Sequence, residues 1–289
     1  MTEPRLQHVS CLDGRGLHRV AYWEWGDASN PRLLVCLHGL TRQGRDFDTL
    51  ARSMVDRYRV VCPDVVGRGR SDWLADPMGY GFPQYVADMV TLLARLNAQT
   101  VHMVGTSMGG LIALGVAALE RSPVSKLVLN DVGPRLDPAG LARIGGYVGQ
   151  VRRWKTLDEA ADALWSISTG FGAHTREQWL TLTEPQLKSD GDDLVPLSDP
   201  DIAVPFRAVT PEMAAAGEAA LWQAYDRVRC PTLLTRGAES DLLAHATAQE
   251  MGTRGPRARL VEFAGVGHAP TLVQPEQVQA IREFLLSSP

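Results

Sequence analysis

The chain has 289 residues, of which 45% are hydrophobic and 21% are charged, and its formal net charge is −4 at pH 7. This length suffices for one large α/β domain with an insertion, and the composition is that of a globular protein rather than a disordered one. The Lys and Arg residues are scattered singly, so no basic stripe is available to hold phosphates, and nucleic acid is not expected as a partner.

The N-terminal stretch, MTEPRLQHVSCLDGRG, has no apolar core of the kind that a secretory signal needs. The longest apolar stretch, around Leu111 to Leu119, is too short to cross a bilayer. We therefore expect a cytoplasmic protein that makes no use of a membrane. No C-x-x-C pair is present, and we expect reduced thiols at the four cysteines, which are Cys11, Cys36, Cys62 and Cys230.

Seven short runs rich in Val, Leu and Tyr predict β-strands. Most of them are apolar throughout, without polar alternation, which is typical of strands buried on both faces of a parallel sheet. In chain order the runs are HRVAYWEW (18–25), RLLVCLH (32–38), YRVVCPD (58–64), TVHMVG (100–105), SKLVLND (125–131), PTLLTRG (231–237) and ARLVEFA (258–264).

Helical patterns lie between these strands. They are FDTLARSM (47–54), YVADMVTLLARL (85–96), MGGLIALGVAALE (108–120) and, at the end of the chain, EQVQAIREFLL (276–286). Strands that alternate with helices predict a mostly parallel sheet flanked by helices, which is the α/β class.

The alternation breaks between about Gly133 and Asp226. This region has four helical stretches and a polar, Pro-rich connection, LKSDGDDLVPLSDPDIAVP, but no clear buried strand. We interpret it as a mostly helical insertion. The predicted organisation is a core domain made of residues 1–132 and 227–289, with a helical cap made of residues 133–226.

The strongest chemical signal is Gly105-Thr106-Ser107-Met108-Gly109, a G-x-S-x-G placed where an apolar strand ends and a helix of small residues begins. The two glycines permit a sharp turn that leaves the serine hydroxyl at the tip of the sheet. A serine that only caps a helix beside a glycine turn is the plain alternative. The strand before and the helix after favour a nucleophile.

A serine nucleophile needs a base within hydrogen-bond reach and a third group that orients the base. In one conceivable order, Asp13, His38 and Ser107 follow one another, but the spacing and the residues after His38 do not suit it. In the other order, Ser107 comes first, and Asp241 and then His268 follow the last two strands. The second order predicts His268 as the base.

With these residues in place, the chain resembles the α/β-hydrolase fold enzymes over nearly its whole length. His38-Gly39, the segment PDVVGRGRSD (63–72), the turn at Ser107, the loop at Asp241 and Gly-His at 267–268 occur in the order typical of that family. The resemblance implies a mostly parallel central sheet flanked by helices, with a helical cap inserted after the sixth strand.

The resemblance also implies roles for individual residues. The loop after His38 would help to form the oxyanion hole, with backbone N–H groups from Leu40 and Met108, while His38 itself would anchor that loop. Asp241 follows the strand that usually carries the acid in this family. Asp131, directly after the preceding strand, is the alternative acid, because some relatives place theirs there.

The predicted function is hydrolysis of a carboxylic ester, lactones and thioesters included, through an acyl-enzyme on Ser107. An aromatic-rich cap suggests a largely apolar pocket for a small to medium substrate, and Arg143, Arg152 and Arg153 could meet a substrate carboxylate. The alternatives are a carbon–carbon bond hydrolase of the meta-cleavage type, a perhydrolase or haloperoxidase-like enzyme, and a ligand-sensing receptor. No metal spacing, dinucleotide fingerprint or phosphate loop occurs, so no cofactor is implied.

Overall fold

The centre of the molecule is an eight-stranded sheet, which we describe from a computed structural model that covers residues 3–288. The strand order is β1-β2-β4-β3-β5-β6-β9-β10, and β7 and β8 form a separate two-stranded hairpin. The strands are β1 (Arg5–Leu12), β2 (Leu17–Trp25), β3 (Arg32–Leu37), β4 (Arg59–Pro63), β5 (Thr100–Thr106), β6 (Val124–Asn130), β7 (Leu187–Asp190), β8 (Asp193–Pro196), β9 (Thr232–Gly237) and β10 (Arg259–Phe263).

Ten α-helices and five short 3-10 helices complete the described chain. The α-helices are α1 (Asp48–Met54), α2 (Phe82–Leu96), α3 (Met108–Ala117), α4 (Pro138–Gly145), α5 (Leu157–Ser166), α6 (Arg176–Thr183), α7 (Ala203–Arg207), α8 (Pro211–Arg227), α9 (His245–Met251) and α10 (Pro275–Leu286). The 3-10 helices are Gly44–Phe47, Pro77–Gly79, Thr169–Phe171, Glu184–Gln186 and Pro200–Ile202.

The predicted mostly parallel sheet is confirmed. Within the eight-stranded sheet, neighbours in the order β4-β3-β5-β6-β9-β10 pair in parallel, and only the two pairs that involve β2 are antiparallel. All seven predicted runs form strands of this sheet, and β1 is an eighth that the sequence did not predict. The reason is that β1 lies at the sheet edge and buries only Val9 and Cys11 of its eight residues.

Two hydrophobic clusters cover the two faces of the sheet. One face packs against α2, α3 and α8, which contribute Leu92, Ile112 and Trp222 to the cluster. The other face packs against α1 and α10, which contribute Leu50 and Ile281. A parallel sheet needs this cover on both faces, because its apolar strands offer no polar side to water.

The segment 133–226 leaves the sheet after β6 and returns before β9. It is mostly helical, as predicted, but the polar connection also contains the β7-β8 hairpin, which the sequence did not predict. Its last helix, α8, packs against α3 and places Tyr225 in the core cluster. The division into a core domain and a cap at residues 132 and 227 stays a prediction.

The sheet order explains where a site can form. The strand β5 has β3 on one side and β6 on the other, so the loops after these three parallel strands meet at one edge of the sheet. Loops at the carboxyl ends of parallel strands are the usual place for ligands in α/β folds. Among residues 3–288, no helix is long and apolar enough to cross a membrane.

Candidate active site

The turn between β5 and α3 carries Ser107 in a strained backbone conformation, with φ of 52° and ψ of −122°. Both flanking glycines are required by close packing. A Cβ on Gly105 would lie 2.3 Å from the carbonyl oxygen of Gly109, and a Cβ on Gly109 would lie 2.1 Å from that of Leu37. The half-buried serine side chain therefore projects from the end of the strand, as the G-x-S-x-G pattern predicts.

His268 lies against the serine hydroxyl. Its Nε2 is 2.9 Å from Ser107 Oγ, and its Nδ1 is 2.7 Å from Asp131 Oδ2. The histidine is buried, and the aspartate has no exposed surface. The three side chains form one hydrogen-bonded row, although they come from positions far apart in the sequence.

Asp131 is held in place by two further donors. The backbone N–H of Gly237 donates to Oδ1 at 2.9 Å, and the hydroxyl of Ser240 donates to Oδ2 at 2.7 Å. These contacts compensate part of the cost of burying a carboxylate, and they fix the oxygen that accepts from His268. A carboxylate whose oxygens are fixed in this way can orient an imidazole.

Asp241, the acid that the sequence favoured, does not contact His268. Its carboxylate accepts hydrogen bonds from Arg143 Nε at 2.6 Å and Nη2 at 2.8 Å, and the hydrogen bonds from this guanidinium lower the pKa of Asp241. The carboxylate against His268 is therefore that of Asp131 and not that of the predicted Asp241, and the order of the strands explains why. Asp131 follows β6 directly, and β6 is the neighbour of β5, whereas Asp241 lies four residues beyond the end of β9, on the exposed side of that loop.

The backbone N–H groups of Leu40 and Met108 were predicted to face a developing oxyanion. Met108 is the first residue of α3, where a backbone N–H has no acceptor within the helix. Within residues 3–288, the N–H of Leu40 also donates to no protein acceptor. Met108 directly follows Ser107 and Leu40 lines the cavity, and their role as oxyanion donors stays a prediction.

His38 anchors the loop that carries Leu40, as expected. Its Nδ1–H donates to the carbonyl of Gly39 at 2.7 Å, and its Nε2 accepts from the N–H of Val65 at 2.9 Å. Burial, with the nearby positive charges of Arg68 and Arg42, lowers the pKa of His38 to about 3. The ring is therefore neutral near pH 7, which this pair of hydrogen bonds requires, and it does not contact Ser107.

Arg68 is a positioning residue that sequence analysis missed. It is fully buried, and it donates to the carbonyl of Leu40 at 2.9 Å while its Nη2 lies 3.7 Å from Met108 Sδ. Its Nη1 donates to the hydroxyl of Tyr85 at 2.9 Å. It thus touches both residues of the expected oxyanion hole. The only sequence signal was the place of Arg68 inside PDVVGRGRSD, and this position did not predict which residues it contacts.

Asn130 was missed as well. Its side-chain amide donates to Thr106 Oγ1 at 2.9 Å and to the carbonyl of Pro270 at 2.8 Å, and its oxygen accepts from Thr235 Oγ1 at 2.7 Å. It is fully buried. One side chain therefore connects the ends of β5, β6 and β9 to the loop after His268.

A cavity of about 500 Å³ opens above Ser107 and His268. Its lining includes the loop after β3 and many residues of the segment 133–226. That this segment is a separate cap stays a prediction. Among the aromatic residues of the segment 133–226, Tyr147, Trp154 and Phe171 line the cavity, whereas Trp179 and Trp222 are buried. The apolar lining includes Leu40, Ile144, Leu164, Ile167, Leu187 and Val195.

The segment 133–226 also supports the loop that carries the histidine. The N–H of Gly267 donates to the carbonyl of Gly170 at 2.6 Å. His174 Nε2 lies 2.8 Å from Thr271 Oγ1, and the side chain of Gln274 donates to the carbonyl of Ala173 at 2.8 Å. Residues on both sides of His268 are thereby hydrogen-bonded to the segment 133–226.

One group of potential metal ligands lies away from this site. Within residues 3–288, Cys11, His18 and Asp88 are the three such residues whose ligand atoms approach to within 4.8 Å of one another. His18 Nε2 is 3.1 Å from Asp88 Oδ2. A buried histidine–carboxylate hydrogen bond accounts for this grouping, and it joins β2 to α2.

The chain matches the model of the alpha/beta hydrolase family over residues 34–281. It belongs to this family. It is 55% identical over 285 residues to the 3-hydroxybutyrate-oligomer hydrolase of Cupriavidus necator, a match that covers 97% of each chain. It is 25% identical to Esterase YbfF of Escherichia coli, over 87% of this chain and 92% of that protein.

Solved structures agree with the family. An alpha/beta hydrolase from Novosphingobium aromaticivorans superposes with a TM-score of 0.86 at 37% identity and covers 99% of both chains. The predicted family and fold class are confirmed, as is the prediction of an enzyme that hydrolyses ester bonds.

Proposed function

We propose that this enzyme hydrolyses the ester bonds of short 3-hydroxybutyrate oligomers through an acyl-enzyme on Ser107. The observation that carries the proposal is the hydrogen-bonded row of Ser107, His268 and Asp131 at the base of a covered cavity. The substrate class follows from the relative that is 55% identical over almost the full length and is named for such oligomers.

In the first half-reaction, His268 Nε2 accepts the proton of Ser107 as Oγ attacks the ester carbonyl. Asp131 accepts from Nδ1–H, which keeps Nε2 free of a proton in the resting state and stabilises the imidazolium that forms. The negative charge on the carbonyl oxygen is met by the N–H groups of Leu40 and Met108. The C–O bond then breaks, and the departing alcohol oxygen takes the proton from Nε2.

The second half-reaction repeats these steps with water. His268 Nε2 takes a proton from the water as its oxygen attacks the acyl carbonyl, and the same two N–H groups stabilise the second oxyanion. Ser107 then leaves with the proton held by His268. The products are a carboxylic acid and the alcohol released earlier, and the enzyme returns to its starting state.

The cavity suits a chain of alternating ester groups and methyl-branched carbons. Its volume of about 500 Å³ lies within the range of small-molecule sites, and its apolar side chains can pack against the methyl groups. An ester-cleaving relative at high identity also favours ester hydrolysis over the carbon–carbon, perhydrolase and receptor alternatives.

The expected setting of the enzyme is also part of the proposal. We infer a small-molecule substrate, without a nucleic-acid or membrane partner, and a place in the cytoplasm. All four cysteines are free thiols, and three of them are buried, which suits a reducing compartment.

The test is hydrolysis of a linear 3-hydroxybutyrate trimer by the wild-type enzyme, with dimer and monomer quantified by liquid chromatography. We expect kcat/KM of about 10⁴ M⁻¹ s⁻¹ or more, since this is the lower end of the usual range for a physiological substrate. p-Nitrophenyl butyrate serves as the general ester control. Rapid cleavage of that ester with an unchanged trimer would reject the oligomer as substrate while leaving esterase activity intact.

A further inference from the structure

Cationic side chains outnumber acidic ones in the lining of the cavity above Ser107. Five cationic side chains line it, and Asp190 is its one acidic lining residue among residues 3–288. The chain as a whole carries −4. A cationic side chain that is not balanced by a carboxylate attracts anions, so any such residue in this lining would favour an anionic substrate. The five cations are Arg42, Arg143, Arg152, Arg153 and Lys188.

Three of the five are already paired with carboxylates. Arg42 donates to Asp46 through Nε at 2.6 Å and Nη2 at 2.9 Å, and Arg143 pairs with Asp241 in the same two-pronged way. Arg153 lies 2.8 Å from Asp193 and 2.7 Å from Asp190. The charge of each of these side chains is balanced within the protein.

Arg152 and Lys188 are different, because neither contacts a carboxylate of residues 3–288. Arg152 is half-buried, and Gln150 Oε1 accepts from its Nε at 3.0 Å and its Nη2 at 2.6 Å, which orients the guanidinium without neutralising it. The ammonium of Lys188 lies 5.0 Å from the ring centroid of Trp73, another cavity residue.

We propose that Arg152 and Lys188 bind the free carboxylate of the substrate, so that the enzyme prefers oligomer acids to neutral esters. The inference rests on the proposed function, because it concerns which part of the oligomer the cavity recognises. Both side chains come from the segment 133–226, whereas Ser107 comes from the sheet. Carboxylate recognition and bond cleavage are therefore assigned to different parts of one cavity.

The chemistry of the oligomer gives this arrangement a direction. Every ester bond has the hydroxyl-terminal part of the chain on its acyl side and the carboxyl-terminal part on its alcohol side. The free carboxylate therefore always belongs to the departing alcohol and never to the acyl-enzyme. Arg152 and Lys188 accordingly hold the leaving part of the chain, and the apolar wall is left for the acyl part.

The structure also separates three arginines that the sequence could not distinguish. Arg143, Arg152 and Arg153 were all candidates for a carboxylate contact. Arg143 and Arg153 are occupied by aspartates, and Arg152 alone of the three keeps an unbalanced charge. Lys188 was not a candidate, because its hairpin was not predicted.

The experiment compares the 3-hydroxybutyrate trimer with its methyl ester, which keeps the ester bonds between the units and has no negative charge. Only cleavage between units is scored, and loss of the methyl group is quantified separately. The variants are Arg152→Gln and Lys188→Gln, with Lys155→Gln as the matched control. Lys155 carries the same charge, lies three residues from Arg152, pairs with Asp193 and does not line the cavity. Thermal unfolding of each variant confirms that it is folded.

We expect the wild-type kcat/KM to be at least about tenfold higher for the trimer than for its methyl ester, since a hydrogen bond to a charged group has about this effect. Arg152→Gln and Lys188→Gln should each reduce kcat/KM for the trimer by about tenfold, through KM, and leave the methyl ester unchanged. Lys155→Gln should change neither. Equal rates for the two substrates, or equal losses on both, would overturn the carboxylate assignment and leave the oligomer hydrolase in place.

If p-nitrophenyl butyrate is cleaved but the trimer and its methyl ester are not, the proposed substrate is rejected. The carboxylate assignment is then tested with another pair of esters. 4-(Butyryloxy)benzoate and its methyl ester also differ only in a carboxylate on the alcohol side. A preference for the acid that Arg152→Gln abolishes would support the assignment for another anionic ester. The absence of such a preference would overturn it.

Discussion

Asp131→Asn is expected to reduce kcat by about 10⁴-fold, the size of effect seen when the acid of such a triad becomes an amide. The amide can donate to His268 Nδ1, which favours a proton on Nε2, so the ring can no longer accept the proton of Ser107. It also provides no negative charge for the imidazolium. The measurement is the steady-state rate with p-nitrophenyl butyrate, a neutral ester that does not involve the cationic lining of the cavity.

Asp241→Asn is the matched control, because it makes the same change in the acid that the sequence favoured. Its ion pair with Arg143 is more than a third exposed, and such pairs contribute little to stability. We expect kcat within about threefold of wild type for this variant. A large loss with Asp241→Asn and a small one with Asp131→Asn would show that Asp241 orients His268 in solution.

Among the proposed substitutions, Gly109→Ala is expected to reduce the free energy of unfolding most. The added Cβ would lie 2.1 Å from the carbonyl oxygen of Leu37 and 2.7 Å from that of His38, and backbone atoms cannot move aside as a flexible side chain can. Either α3 or the end of β3 must shift. We expect the free energy of unfolding to fall by about 4 kcal/mol or more, measured by urea denaturation.

Gly217→Ala is the control, because it makes the same substitution at a position where the added Cβ has room. Gly217 is exposed on α8, and a Cβ there would meet nothing within 4 Å. Alanine in a helix interior is more favourable than glycine, so this variant should gain about 0.5–1 kcal/mol. A Gly109→Ala protein as stable as wild type would contradict the close approach of α3 to β3.

The sheet and the sharp turn at Ser107 could be predicted because their signals are local. Solid apolar runs predict buried parallel strands, and a glycine on each side of Ser107 predicts a sharp turn wherever strand and helix meet. The contact of His268 with Ser107 could be predicted from the place of the histidine after the last strand. The edge strand β1 could not, because it buries only alternate residues near one end and its sequence differs little from that of a loop.

The acid could not be chosen from the sequence because the choice depends on the order of strands in space. Asp131 and Asp241 both follow strands that end at the same edge of the sheet. Only the adjacency of β6 to β5, and the ion pair that Arg143 offers to Asp241, separate them. A strand-end aspartate with no exposed surface is a stronger candidate than one four residues into a polar loop.

Arg68 and Lys188 lay outside the predictions for a related reason. Arg68 acts through contacts with Leu40 and Met108, which are distant in sequence, and its burial has no local signature. Lys188 belongs to a hairpin of two four-residue strands inside a polar, Pro-rich stretch. Such short strands form through pairing and tertiary contacts rather than through a hydrophobic pattern of their own.

The most direct test of the whole account is trimer hydrolysis by Ser107→Ala beside wild type, with product analysis by liquid chromatography. The substitution removes the hydroxyl that accepts the acyl group and leaves the strained turn unchanged, so thermal unfolding should be preserved. We expect kcat to fall by about 10⁶-fold, while substrate binding and the oxyanion donors leave a residual rate about 10³–10⁴-fold above that without enzyme. A folded Ser107→Ala protein whose kcat for the trimer stays within about tenfold of wild type would show that Ser107 is not the nucleophile.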